Sequence, residues 1–192
     1  AFSGSWMALA SHAAAAVLAG LIVGAGVRLG IEVSSKVMIP VLALILVYAA
    51  ARALCLPGAI EGVRYLFQFN AADFLRPRIY LEALTQSAWS TGAGWGLLLT
   101  YAAYSRPREK IVQNSLIMGL GDNTASLLAG LAVIPTVFAL LPPEQATEVV
   151  KMPGENSTGL TFIWIPRLLG AGPGGRLMLP LFFLALFFAA MS

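Results

Sequence analysis

Ser90, Asp122 and Ser126 carry oxygen donors inside stretches that are otherwise apolar. A charge deep in a bilayer costs at least ~2.5–3.5 kcal/mol on insertion scales. Asp122 is therefore expected to face a helix-bundle interior, where it binds a cation or carries a proton. Ser126 follows it by four residues, so on a helix the two share a face. Gln86 and Ser90 are spaced in the same way. Two oxygen-rich helix faces would suit a hard cation such as sodium. The other reading is a structural polar zipper between two membrane helices.

Between these pairs lies Gln86-Ser-Ala-Trp-Ser-Thr-Gly-Ala-Gly-Trp-Gly96, with Gly92, Gly94 and Gly96 inside five residues. Each glycine costs a helix roughly 1 kcal/mol relative to alanine. Three of them beside Ser90 and Thr91 predict a helix that breaks over 90–96. Unpaired backbone at membrane depth survives only where protein or a water-filled cavity covers it. In transporters such a break commonly holds substrate and coupling ions. Trp89 and Trp95 flank the glycines and are read as pocket walls. The alternative, lipid-facing belt residues, fits aromatics near span ends better than aromatics at mid-span. The glycine run is not a nucleotide loop, because position 97 is Leu where the dinucleotide fingerprint wants Gly, and no Gly-Lys-Ser/Thr follows.

The elements that must position these residues are membrane helices. The 192 residues are 58% hydrophobic and only 11% charged, with mean hydropathy +0.80; soluble domains carry about 25% charged residues. The formal charge of +3 is scattered and gives no nucleic-acid surface. One Cys, Cys55, excludes an internal disulfide and a Cys-rich metal site, and a single His, His12, leaves hydrolytic and metal chemistry unsupported. His12 is expected to pack and hydrogen-bond within the bundle rather than relay protons. Position 1 is Ala and the chain stops at Ser192 within an apolar run, so an internal piece of a longer protein is expected.

A span needs ~20 mainly apolar residues. Five are predicted: Ser5 to Val27, Val37 to Leu54, the broken one from Ile79 to Tyr104, Ile111 to Leu141, and one starting near Leu177. Pro142-Pro143 should end the fourth. The short connectors carry Arg28, Lys36, Arg106, Arg108 and Lys110, against Glu32 and Glu109. By the positive-inside rule they are cytoplasmic. Residues 55–78 and 142–176 are then extracellular loops, the second with a weak glycosylation-type triplet at Asn156-Ser157-Thr158.

The stretch from Gln86 to Tyr104 resembles the unwound sixth transmembrane helix of the neurotransmitter:sodium symporters. Gly30 to Pro40 is similar to that family's link from the fourth helix into the fifth. Asp122-Asn-Thr-Ala-Ser-Leu-Leu-Ala-Gly130 resembles the start of the seventh helix in bacterial, leucine-transporter-like members, and Phe187 to Ser192 the approach to a sodium site on the eighth. The resemblance covers residues 1–192 as a single transmembrane fragment, from the fourth helix to the start of the eighth. It implies an all-α polytopic protein, part of a ten-helix inverted-repeat core.

The resemblance also implies roles. Ser90 and Asp122 match ligands of a first sodium, though many members have Asn at the position of Asp122. Ala189, through its carbonyl, and Ser192 match ligands of a second. Trp89, Ser90, Gly92 and Trp95 match substrate-binding positions. Gln86, Ser90 and Ser126 match positions that hold chloride in animal members. Bacterial leucine-transporter-like members have Glu at the position of Ser126 and do without the anion. With a carboxylate at 122, this chain is expected not to need chloride. Trp89 matches the lid over the substrate and Tyr104 a residue near the cytoplasmic gate. The implied function is sodium-coupled symport of an amino acid or related amine across the plasma (inner) membrane, with no enzymatic activity. A proton- or chloride-coupled transporter of the same fold, or a non-transporting receptor or channel subunit, are the rival readings.

Overall fold

A computed structural model of the chain describes residues 6–105, 108–151 and 160–191, and its regular elements there are all helical. Helix α1 (Trp6–Gly24) is apolar around most of its circumference, as a membrane or core helix must be. Gly26 then takes a left-handed φ of 85°. A π-helical turn, Val27–Ile31, leads into α2 (Glu32–Leu54). Gly30 packs against α1 so closely that a Cβ would collide with the Ile22 carbonyl. The predicted connector over 28–36 is thus helical, and α2 starts five residues before Val37. Glu32 stabilises that start, since a carboxylate suits the positive end of the helix dipole, and Lys36 Nζ bonds its Oε1 at 2.7 Å.

The two predicted long loops also contain helices. Residues 55–78 hold α3 (Ala59–Leu66), a 3-10 turn (Ala71–Leu75) and the first two residues of α4 (Pro77–Thr91). Helix α5 (Leu97–Ala103) follows the break and α6 (Ile111–Leu140) is the longest element. Residues 142–176 hold α7 (Pro143–Lys151), a π-helical turn (Leu160–Trp164) and α8 (Ile165–Gly170), before α9 (Gly175–Met191). Their Gly, Pro and mixed charge hid short amphipathic helices. Pro143 opens α7 where a missing N–H costs nothing, and α6 stops at Leu140 as the proline pair predicts. The triplet at 156–158 lies outside the described residues.

Among the described residues, two helices are long and apolar enough to cross a membrane, Leu29–Leu54 and Ile111–Leu140. Leu9–Gly24 and Gly175–Ala190 are apolar but shorter. The chain forms two compact units. One comprises α1, α2 as far as Ala49, and the chain from Pro166 on. Ile45, Ala49, Leu168, Leu169, Phe182 and Ala185 are buried in it.

The other unit runs from Ala50 to Ile165 and is organised by α6. Ala132, Val133, Pro135, Thr136, Val137 and Phe138 are buried, all in the C-terminal half of that helix. Helix α3 lies antiparallel along it. Gly58 meets Phe138 and Ala139, Gly62 meets Pro135, and Gly130 meets the Leu66 side chain. A Cβ at position 62 would stand 2.6 Å from Pro135 Cα, so only glycine permits this approach. Tyr65 and Phe138 stack with centroids 5.2 Å apart. Helix α7 and the second π-turn complete a collar around the same half of α6. The N-terminal half of α6, which carries Asp122, lies outside the collar and exposes Ile111, Val112, Leu116 and Ile117.

Candidate functional site

Helix α4 ends because Gly92 turns left-handed, at φ 69° and ψ 18°. The Gly92 amide then donates to Trp89 O at 3.2 Å and the Ala93 amide to Ala88 O at 3.0 Å. These bonds satisfy carbonyls that a helix terminus would otherwise leave open. Gly94 and Gly96 are also left-handed, at φ 82° and 79°, a conformation that costs other residues roughly 1–2 kcal/mol each. Helix α5 restarts once Thr100 N bonds Gly96 O at 3.0 Å. The break therefore covers 92–96. Ser90 and Thr91, predicted to lie within it, remain in the last turn of α4. Among the described residues no hydrogen bond is recorded to the Ser90 or Thr91 carbonyl.

Thr85, Thr91 and Thr124 return their hydroxyls to carbonyls of their own helices, and Thr100 to the Gly96 carbonyl just before α5. Ser90 does otherwise. Its Oγ crosses from α4 to α6 and lies 2.5 Å from both Oδ1 and Oδ2 of Asp122. A hydroxyl has one proton, so it donates to one carboxyl oxygen at a time, in a short bond. Three hard oxygens thus converge at the end of a broken helix. Oxygen donors select hard cations over softer transition metals.

The remaining predicted residues are less gathered. Gln86 and Ser126 share the faces of Ser90 and Asp122 but are exposed, and among the described residues neither has a recorded hydrogen bond. Trp89 and Trp95 meet edge to face across the break, centroids 4.3 Å apart at 82°. The two residues stay 64% and 57% exposed. Gly92 is half-buried between them in sequence, and Tyr104 is exposed one residue past α5. Ala189 is half-buried in α9, in the other unit, and Ser192 lies outside the described residues. His12, expected to bond within the bundle, is exposed on α1. The close approach of Gly62 to Pro135, which packs the C-terminal half of α6 against α3, was not anticipated. Its signal was the Gly58–Gly62–Leu66 spacing.

The family model of the sodium:neurotransmitter symporter family matches residues 6–192. The chain belongs to the sodium:neurotransmitter symporter family. It is 31% identical over 178 residues to an uncharacterized sodium-dependent transporter of Methanocaldococcus jannaschii, covering 90% of this chain and 35% of the relative. It is 34% identical over 172 residues to the uncharacterized sodium-dependent transporter YhdH of Bacillus subtilis, covering 90% and 36%. It is 29% identical over 142 residues to the sodium- and chloride-dependent creatine transporter 1 of Bos taurus, covering 74% and 22%. The chain thus spans about a third of the length of the first two relatives. No solved structure matches it. Membership of the symporter family makes this an integral membrane protein of a transporter family, not an enzyme.

Proposed function

We propose that this chain is the part of a sodium-coupled symporter that holds the broken helix, one face of a first sodium site and one wall of the substrate pocket. The observation that carries the reading is the Ser90 hydroxyl seated on both carboxylate oxygens of Asp122, beside the break. Sodium enters as a co-transported substrate, coordinated by Ser90 and Asp122, with a second ion held near the Ala189 carbonyl and Ser192. In broken-helix transporters, exposed backbone meets the ions and the charged ends of the substrate. The carbonyls of Ser90 and Thr91 are suited to that. Coupling requires only that sodium favour the conformation that binds substrate.

The substrate is an amino acid or related amine. Gly92 leaves space and Trp89 and Trp95 flank it, so the preferred side chain is bulky and apolar or aromatic. Asp122 serves as a fixed anion that balances bound sodium, so chloride is not required, and Gln86, Ser90 and Ser126 mark the vestige of an anion site. Tyr104 lies toward the cytoplasmic gate, residues 55–78 and 142–176 face outward, and the intact protein has the ten-helix inverted-repeat core in the plasma membrane.

The test is uptake by the full-length protein as sodium is titrated. Ser90→Ala and Asp122→Ala should each raise the sodium concentration at half-maximal uptake. An unchanged value in both would remove these residues from the ion site. Uptake driven by a proton gradient without sodium would favour the proton-coupled rival, and binding without uptake the receptor.

A further inference from the structure

We propose that the segment from Phe67 to Leu75 is an interfacial foot that seats in the headgroup and upper acyl region of the bilayer. The proposal rests on the reading of α4 as half of a broken span, because residues leading directly into a span must lie at the bilayer surface. Within nine residues the segment exposes four large apolar side chains. Phe67 is 48% exposed, Phe69 78%, Phe74 58% and Leu75 84%.

The segment is built rather than frayed. Asn70 caps the 3-10 turn, its Oδ1 accepting from Ala72 N at 3.1 Å. Asp73 N donates to Asn70 O at 2.9 Å and Arg76 N to Asp73 O at 3.0 Å. The Tyr80 hydroxyl donates to Phe74 O at 2.9 Å, fastening the turn to the first helical turn of α4. A backbone at the hydrocarbon boundary is helped by internal hydrogen bonds, and those of the 3-10 turn hold this one while its apolar side chains turn out.

The charges on its α4 side are paired. Arg76 pairs with Asp73 at 3.2 Å and Arg78 with Glu82 at 2.7 Å. The stems of such arginines can lie along acyl chains while their heads stay in water. No unpaired positive charge in the foot demands an anionic lipid, so the partner is a zwitterionic lipid surface, recognised through its apolar layer.

The experiment uses full-length protein in nanodiscs of phosphatidylcholine with brominated acyl chains. An environment-sensitive fluorophore is attached to Phe69→Cys or Leu75→Cys in a Cys55→Ala background stripped of other reactive cysteines. Glu61→Cys, on an exposed face of α3, is the reference. Bromine should quench labels at 69 and 75 several-fold more than at 61, and adding anionic lipid should not increase the difference. Quenching no stronger than at 61 would overturn the proposal, and would mean that the rest of the protein covers these side chains. Liposome flotation at alkaline pH tests the membrane reading separately. Protein that floats but is not quenched at 69 and 75 refutes the foot alone; protein that does not float refutes both. Unsubstituted protein with a photoactivatable phosphatidylcholine gives a second measurement. Crosslinks in the peptide spanning 65–76 support the foot, and crosslinks found only elsewhere refute it.

Discussion

Replacing Asp122 with Asn removes one unit of charge while keeping an oxygen and the side-chain shape. Two opposite unit charges about 4 Å apart attract by about 4 kcal/mol at an effective dielectric of ~20. A gap of 2.5 Å between Ser90 Oγ and each carboxylate oxygen leaves no room for a cation, so sodium must open that bond to enter. A hydrogen bond to a charged group is worth a net of about 1.5–3 kcal/mol. The difference, about 1–2.5 kcal/mol, is the carboxylate's advantage over a neutral amide, and at 1.4 kcal/mol per decade it predicts roughly five- to sixty-fold weaker sodium binding. The assay is sodium-driven uptake by wild type and Asp122→Asn, each in chloride and in gluconate. Wild type should transport equally in both, and the variant should need more sodium and gain a response to chloride. A half-saturation unchanged by the substitution, or strong chloride dependence in the wild type, would refute the fixed-anion reasoning.

Gly92→Leu should abolish uptake of large substrates before small ones in a competition panel. Gly92→Ala separates volume from strain, since both side chains meet the same left-handed penalty of roughly 1–2 kcal/mol; equal loss of all substrates in both variants would reduce the effect to strain. Gly62→Ala should lower the melting temperature of the detergent-solubilised protein, because its Cβ would meet Pro135 Cα at 2.6 Å and overpacking costs about 1–3 kcal/mol; Glu61→Ala should not. Trp89→Ala should raise the substrate concentration at half-maximal uptake, given that an edge-to-face ring pair contributes about 0.5–1.5 kcal/mol beyond buried area; an unchanged value would make the pair incidental to binding.

The break was legible because three closely spaced glycines have few other uses inside an apolar helix. Its start was misplaced because Ser and Thr can stay helical by bonding back to their own helix, as Thr91 does to Ser87 O at 2.8 Å. The two four-residue spacings gave two oxygen-rich helix faces and the resemblance joined Ser90 with Asp122, but nothing in the spacings decides which of the four polar side chains meet. Geometry joins two and leaves Gln86 and Ser126 apart. Helices α3 and α7 were hidden because each is short and half polar, and the burial of α3 depends on α6, far away in sequence. The start of α2 was obscured in the same way, its charged first turn reading as a connector.

The collar around the C-terminal half of α6 turns that helix into a lever. Pro135 sits inside the clamp, where it has no amide proton to give its helix. Asp122 is thirteen residues toward the free end, about 20 Å along the axis at 1.5 Å per residue. A rotation of about 5° at the proline would carry the carboxylate about 1.7 Å over that arm. That displacement is large against a 2.5 Å oxygen contact. A slight reorientation of the collar would therefore be enough to make or break the Ser90–Asp122 bond, and, on the proposed sodium site, the same arm would let an ion arriving at Asp122 be felt at the collar.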